Sequence, residues 1–396
     1  MALNHSEIII AGGGLIGLCL APILAKNFDN IAIIDQNRFT SNNDLNKDLR
    51  TIAISRGTKL LLEEYNIWGK IKRNVQPINN IKVLNRSENS KIYFRSENNK
   101  TPMGYIIEHS KIKKDLVEII KSSKKIKIIN KFKINNIINE QNNIVVCDHD
   151  KKISSKLLIA ADGKNSSIRT ISQMESYSTT YNQSAIVLNF VHQNNHNSTA
   201  YEIFLPNGPL ATLPMLSQNK NIFKSSLIWS ENRDIAEKLI LLNKSYLKDI
   251  IEEKVLKYLG PIKKLESIKL FPLSAHICRK FYCYRTAFVG DSAHSIHPIA
   301  GQGWNLGMRD VKYLAKALEE HKRLGINIGS SEVLKQYNNM RFGDVSGMFF
   351  ITHGLNKIFS NKNVLLNKFR SIGFDYIDKN KKITKKLVKF ASGLHL

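Results

Sequence analysis

Acidic residues are scarce in this chain: 33 Asp and Glu stand against 59 Lys and Arg, a formal net charge of +26 over 396 residues. The imbalance leaves two readings. One is attraction to an anionic surface. The other is a background rich in Lys, Asn and Ile throughout. Lysines are spread along the chain and no Arg/Lys stripe is interleaved with aromatics, so no nucleic-acid partner is expected. Cysteine is rare as well. Cys19, Cys147, Cys278 and Cys283 are scattered, with no C-x-x-C pair. That excludes a disulfide scaffold and points to reduced thiols in a cytoplasmic setting. Long apolar runs are limited to Ile8–Ala25, where His5 and Glu7 precede and three consecutive glycines and Pro22 intervene. A strand, a tight turn and a buried helix fit that run better than a signal peptide or anchor. Any membrane association is therefore expected to be peripheral, on the inner membrane. Internal repeats and long low-complexity tracts are absent.

What is present begins with "EIIIAGGGLIG". A short β-rich run ends at Ala11, a helical pattern follows to about Lys26, and a second strand, "IAIID", ends at Asp35. Gly12, Gly14 and Gly17 stand in G-x-G-x-x-G register inside this β-α-β unit. The first glycine permits the turn, the second lets a pyrophosphate approach the backbone, and the third lets helix and strand pack closely. The helix N-terminus then faces the phosphates. Asp35, 18 residues after the last glycine, is placed to accept from ribose hydroxyls.

An NAD-binding unit would continue with further β-α units at once. Here residues 40–60 read as a loop leading into a helix, and residues 76–110 as β-hairpin material. The β-α pattern returns only at Lys156–Arg169 and Thr286–His294. Three separated segments suit FAD better than NAD. Between them, β-rich runs at 184–191, 200–205, 210–216 and 225–230 suggest an inserted antiparallel sheet. Helical patterns follow from Gly303 to about Arg323 and around Val333–Arg341.

The stretch "FVGDSAHSIHPIAGQGWNLGMRD" gathers two acids, two histidines and four glycines between Phe288 and Asp310. On a helix Asp291, His294 and His297 would share a face, which suggests a metal. Gly301, Gly303 and Gly307 suggest instead a backbone that must come close to a ligand.

Three motifs, G-x-G-x-x-G, "ADGKNSSIR" and "GDSAHSIHP", resemble in order and spacing those of the flavoprotein aromatic hydroxylases, the p-hydroxybenzoate hydroxylase-like family. "HPIAGQGWNLGMRD", "GPLATLPM", "SLIWS" and "RTIAIS" are similar to its ubiquinone-biosynthesis hydroxylases. Asp35 departs from a more usual Glu, Trp304 from a smaller or different apolar residue, and the C-terminus is unusually rich in lysine. The resemblance implies an α/β (α+β) fold: a Rossmann-like FAD-binding domain from residues 1–75, 109–175 and 276–330, an inserted antiparallel-sheet substrate domain from 76–108 and 176–275, and C-terminal helices over 331–396.

It also implies roles. Asp291, after Gly290, would contact the ribityl hydroxyls, although a helix N-cap would suit it too. Pro298 would lie beside the isoalloxazine ring. Gly301 and Gly303 would turn backbone N–H groups toward it, with the helix dipole behind them and Asn305 in the first turn. Asp162 and Gly163 would touch the pyrophosphate, with Arg169 pairing to Asp162 or to phosphate. Arg50 would lie beside FAD and the substrate cleft, and His109 where relatives place an amide on FAD. Pro298 and His297 are the candidate catalytic residues, His297 also as an orienter of its loop. With the loop assigned to flavin and no Cys or Glu completing a ligand set, no metal is expected.

The implied reaction is hydroxylation of a polyprenylated phenol. NAD(P)H and O₂ are co-substrates, and a flavin C4a-hydroperoxide is the oxygen donor. The alternatives are a related flavoprotein reductase, a hydroxylase of another phenol, or a non-catalytic flavoprotein subunit of a ubiquinone-biosynthesis complex. At the C-terminus Ile383, Leu387, Phe390 and Leu394 share a helical face, and Lys381, Lys382, Lys385, Lys386 and Lys389 fall largely elsewhere. Such a segment can lie on an anionic membrane surface or pack on the body with its lysines in water.

Overall fold

The structure is a computed structural model that describes residues 4–39, 48, 50–85, 91–96, 101–149, 151–217, 219, 221–359 and 380–393. It opens with strand β1 (Asn4–Ala11), helix α1 (Leu15–Leu24) and strand β2 (Ile31–Asp35). The two strands are parallel, with Ile8 opposite Ile31 and Ala11 opposite Ile34. Ile31 to Ile34 are all buried, because both faces of a parallel sheet are covered and its strands are continuously apolar.

Next come β3 (Thr51–Ser55), α2 (Arg56–Glu64), β4 (Val75–Ile78), β5 (Asn80–Asn85), β6 (Lys91–Arg95) and β7 (Gly104–Glu108). The segment read as a loop before α2 contains strand β3, built on the β-branched Thr51, Ile52 and Ile54. Residues 40–47 of that loop lie outside the described residues. Ser55 ends the strand and caps α2, its Oγ accepting from Thr58 N–H at 3.3 Å. Strands β3, β7 and β4 form a three-stranded antiparallel sheet, whereas β5 and β6 join a larger one.

Helix α3 (His109–Lys121) leads to β8 (Ile126–Asn130), the hairpin β9 (Asn136–Asn139) and β10 (Ile144–Asp148), and β11 (Lys151–Ala160). After the short helix α4 (Ser167–Ile171) come β12 (Ser176–His192), β13 (Thr199–Leu205), β14 (Gly208–Met215) and β15 (Phe223–Asn232). Two helices, α5 (Arg233–Leu241) and α6 (Lys244–Leu259), precede the long strand β16 (Ile262–Cys278). Short strands β17 (Tyr282–Cys283), β18 (Thr286–Phe288) and β19 (His294–Ser295) follow, then helices α7 (Gly303–Arg323), α8 (Ser331–Phe359) and α9 (Lys381–Ala391).

The first sheet runs β17-β18-β11-β1-β2-β8, with β10 and β9 branching from β11. Its β18–β11–β1–β2–β8 pairings are all parallel. The second sheet runs β19-β16-β12-β15-β14-β13-β5-β6 and is antiparallel except where β13 meets β5. Ile78, Ile106 and Ala200, packed with Ala53, Ile81 and Leu213, join the small sheet to the second one. No helix among the described residues is long and apolar enough to cross a membrane.

Candidate active site

Strands β18, β11, β1 and β2 end in one row. Phe288 lies opposite Ala160, Ala160 opposite Ala11, and Ala11 opposite Ile34. Parallel pairing places the loops that follow these strands on one edge of the sheet, where ligands bind in open α/β folds. Motifs far apart in sequence therefore meet. Backbone bonds lace the edge: Gly12 N–H donates to the Ile34 carbonyl at 2.8 Å, Ala161 N–H to Ala11 at 2.8 Å, and Val289 N–H to Ala160 at 3.0 Å.

In the first loop Gly12 has φ +125°, and a Cβ there would stand 2.2 Å from the Ala161 carbonyl oxygen. A Cβ on Gly17 would stand 2.1 Å from the Gly12 oxygen, whereas one on Gly14 would meet nothing within 4 Å. The first and third glycines thus serve close packing. The second leaves open space over the N-terminus of α1, where a phosphate is favoured. Asp35 holds this loop, accepting from Gly13 N–H at 2.7 Å through Oδ2 and from Asn37 N–H at 2.7 Å through Oδ1.

In the second loop Gly163 has φ +85°, and nothing lies within 4 Å of a Cβ there. Asp162 Oδ2 accepts from Ile168 N–H at 3.3 Å, while Oδ1 is buried with no protein partner. Desolvation pushes this carboxyl up, and bonds from Ser166 and the start of α4 pull it back down. Arg169 does not pair with Asp162. Its guanidinium donates to the carbonyls of Ser292 at 2.9 Å and Lys164 at 2.7 Å, and lies 3.1 Å from His276 Nε2. It ties the second loop to the third, because two carbonyls and an imidazole already surround it.

The third loop leaves β18 through a 3₁₀ turn at Gly290–Ser292, with Gly290 at φ +60°. Asp291 therefore caps no α-helix, and it does not share a helical face with His294 and His297. His294 belongs to β19, paired with β16. Asp291 is exposed yet crowded by protein. Desolvation pushes its carboxyl up, against the pull of His294, Lys164 and Arg50. No group of three or more His, Cys, Asp or Glu that could hold a metal ion occurs among the described residues.

Behind this loop Asp310 forms a buried hub. Its Oδ2 accepts from Gly290 N–H at 2.8 Å and lies 2.6 Å from His294 Nε2, and its Oδ1 accepts from Arg341 Nε at 2.7 Å. Arg341 also donates to Asp344, which Arg309 meets at 3.0 Å.

The Pro298 loop is a second 3₁₀ turn, in which Gly301 N–H donates to the Pro298 carbonyl at 3.1 Å. That N–H is spent, so Gly301 does not present it outward; its φ of +59° makes the turn instead. Gly303 opens α7 with nothing within 4 Å of a Cβ, and the first N–H groups of a helix have no intrahelical partner. Asn305 is a clamp. Its Oδ1 accepts from Ser55 N–H and Thr58 Oγ1, each at 2.9 Å, and its Nδ2 donates to Ala53 at 2.8 Å. Its amide is thereby committed to β3 and α2 and is not a free cofactor ligand. His297 is wholly buried. Its Nε2 lies 3.3 Å from Gln183 Oε1 on β12, and its ring meets the edge of Tyr181 at 5.0 Å. The ring anchors the loop through Nε2, while its Nδ1 is buried with no protein partner. The neighbouring Pro298 is partly exposed.

Arg50 and His109 meet through Asp48, which the sequence did not single out. Arg50 Nη2 lies 2.5 Å from Asp48 Oδ2, and His109 Nδ1 lies 3.3 Å from the same oxygen. Burial pushes Asp48 up, but Arg50 and His109 outweigh it and hold the carboxyl at about 2. Burial pushes His109 down to about 4, against the pull of Asp48. The Arg50 guanidinium also lies over the Phe271 ring at 5.3 Å. Lys164, equally unsignalled, donates to the Ser274 carbonyl at 3.1 Å. Contacts of this kind depend on chain crossings that no local pattern encodes.

Asp162 Oδ1 and the indole N–H of Trp304 are buried polar atoms without protein partners. Among the described residues nothing stands within 4 Å where Gly14, Gly163 and Gly303 would carry a Cβ. A bound dinucleotide fits both features, since buried polar atoms require partners and phosphates require close backbone approach. The fold and this edge define a dinucleotide-binding α/β protein with an inserted antiparallel sheet. Residues 5–344 match the family described as FAD binding domain, and the chain belongs to that family. It is 28% identical over 389 residues to the ubiquinone hydroxylase UbiL of Rhodospirillum rubrum, covering 98% of this chain and 90% of that one. It is 28% identical to the 3-demethoxyubiquinol 3-hydroxylase of Escherichia coli, with 100% of each chain covered. Its fold is shared with p-nitrophenol 4-monooxygenase PnpA of Pseudomonas putida, at a TM-score of 0.80 and 16% identity over the whole of both chains.

Proposed function

We infer that this protein is an FAD-dependent monooxygenase that hydroxylates the ring of a polyprenylated phenol in ubiquinone biosynthesis. NAD(P)H is the reductant and O₂ the oxidant. The observation that carries this reading is the end-to-end match to a 3-demethoxyubiquinol hydroxylase, on a chain whose sheet edge has the openings and unpartnered polar atoms of a dinucleotide site. The parallel sheet with α1 and α7 is the flavin domain, and the β12–β16 sheet is the substrate domain.

Gly14 lets the adenosine pyrophosphate approach, Gly12 and Gly17 shape the turn that holds it, and Asp35 fixes the loop and faces the ribose. Asp162 and Gly163 serve the pyrophosphate from the second loop, and Arg169 holds that loop to the third. Asp291 binds the ribityl chain. Pro298, Gly301 and Gly303 shape the wall beside the isoalloxazine, and Asn305 fixes that wall to β3. Arg50 and His109 border the cleft. FAD, when bound, supplies the electron transfer and oxygen activation that no side chain can. The chain orients the phenol and excludes water. The protein works at an anionic membrane surface, where such a phenol resides. Its excess of exposed lysine supports that reading.

The deciding experiment is complementation of bacterial strains that each lack one ubiquinone ring hydroxylase, read by mass spectrometry of the quinone pool. Restored ubiquinone in one strain is expected and names the ring position. A soluble, yellow protein that restores none removes the ubiquinone assignment. With purified protein, product formation that persists without O₂ would indicate a reductase instead.

A further inference from the structure

Helix α8 carries an exposed apolar face. Gly343, Gly347, Phe350, Ile351, Gly354 and Ile358 are spaced 4, 3, 1, 3 and 4 apart, which places them in one sector of a helix. Phe350 is 66% exposed, Ile351 47% and Ile358 45%. Among the described residues nothing beyond the helix's own backbone lies within 4 Å of a Cβ position at any of the three glycines. Tyr177, 57% exposed, extends it, because its ring meets Phe349 at 5.9 Å and Phe349 meets Phe350 at 5.7 Å. Burying even one of these large side chains is worth a substantial part of a binding energy, and clustered exposed apolar groups mark an interaction surface.

Charge around the face is mostly basic; the exposed Glu175 near Tyr177 is paired with Arg279. The two acids of α8 are Glu332, in its first turn, and Asp344, turned inward and paired with Arg309 and Arg341. Arg279 and Lys280 are exposed beside the face, where Phe281 meets Phe342 at 5.7 Å. Helix α9 has no acid, and Lys382, Lys385, Lys386 and Lys389 are exposed on it. The side chains of Lys381, Leu387 and Phe390, and all of Leu394, lie outside the described residues. The far end of α9 is fixed close to α8. Gly57 N–H donates to the Ser392 carbonyl at 2.8 Å, and Gly393 lies against Arg309, whose guanidinium reaches Asp344 at 3.0 Å. The end of the basic helix thus lies beside the helix that carries the apolar face.

We propose that the outer face of α8 inserts into the interfacial layer of an anionic bilayer, with Phe350, Ile351, Ile358 and Tyr177 among the acyl chains and the α9 lysines on the headgroups. An apolar face flanked by lysine is the pattern of interfacial helices, and Tyr suits the headgroup level. A second copy of this chain is a poorer occupant, since it would bring the same lysines against themselves on a chain of net charge +26. The purpose, presenting a lipid-soluble phenol to the site, rests on the proposed function. The binding itself is measured without turnover.

The test is flotation of the full-length flavoprotein with vesicles of phosphatidylcholine alone and of phosphatidylcholine with phosphatidylglycerol. Wild type is expected to float with the anionic vesicles and far less with the neutral ones. Phe350→Glu with Ile351→Glu is expected to lower binding to anionic vesicles by at least about tenfold, with flavin content unchanged. Replacing Lys382, Lys385, Lys386 and Lys389 by Gln should lose about fivefold per lysine and remove the salt dependence. Light scattering on the same samples separates the alternative occupant. A dimer in wild type that the Glu pair converts to monomer would assign the face to self-association and overturn the proposal. So would flotation unaffected by the Glu pair, or a wild type that binds no anionic vesicle. Failure of complementation with vesicle binding intact would instead remove the hydroxylase reading and leave the docking face standing.

Discussion

Arg341 Nε donates to Asp310 Oδ1 at 2.7 Å, and neither side chain exposes any surface. The pair joins α8 to the loop that carries Asp291, since the same carboxylate accepts from Gly290 N–H. A buried charge left without its partner costs about 3–5 kcal/mol. Arg341→Met is therefore expected to destabilise the protein by that order and to lower its flavin content. Arg341→Lys should recover only part, because one ammonium cannot serve Asp310 and Asp344 together. Thermal unfolding and the flavin-to-protein absorbance ratio check this. A variant with wild-type melting temperature would show that the pair carries no stability.

The glycines separate binding from folding. Gly14→Ala places a methyl in open space, so the apoprotein should melt as wild type does. Its affinity for FAD should fall by about tenfold or more, roughly 1.4 kcal/mol. Gly17→Ala places a methyl 2.1 Å from the Gly12 oxygen and should lower both melting temperature and affinity. Equal effects of the two substitutions on the apoprotein would contradict the assignment of Gly14 to phosphate approach.

Asn305 holds three segments together, so its removal should act at a distance. Asn305→Ala leaves Ser55 N–H, Thr58 Oγ1 and the Ala53 carbonyl without their partner. Each buried group so abandoned costs about 1–3 kcal/mol. Asn305→Asp should not rescue it, because a carboxylate cannot donate to Ala53. Calorimetry of the three proteins tests this, and an Asp variant as stable as wild type would remove the donor role of Nδ2.

Several histidines are held neutral by burial. His109, His276 and His297 are each lowered from 6.5 to about 4, with burial the largest cause. Between those two values the unfolded chain binds protons that the folded chain refuses. Stability is therefore full above pH 6.5, falls as pH drops toward 4, and levels below it. Melting temperature measured across that window should fall with acidity, and His297→Gln should flatten the slope. A flat profile between pH 6.5 and 4 would show that these rings are protonated in the fold.

Much of the site's framework was legible because it is local. The glycine register, Asp35 at a strand end, and a helix from Gly303 to Arg323 each depend on residues near one another. Strand β16 was not legible: Lys263, Lys264, Glu266 and Lys269 interrupt its alternation, and only pairing along β12 makes it a strand. Asp48 and Arg341 carry no motif. Their importance comes from which residues the topology brings beside them. Arg169, His297, Gly301 and Asn305 lie on or beside the loops of this edge, but side-chain atoms or N–H groups expected there for a ligand are bonded to protein. A motif marks where a residue sits and not which of its atoms remain free.

The strand order also sets a schedule for synthesis. Strand β1 is made well before its parallel neighbour β11, and β18 completes the row beyond it. Its apolar edge at Ile8–Ala11 must stay uncovered until Leu157–Ala160 has emerged, and the edge with Asp291 closes later still. Such long-range parallel pairing is slow and exposes sticky strands meanwhile. Flavin can be captured only after β18 and the Asp291 loop have followed β11.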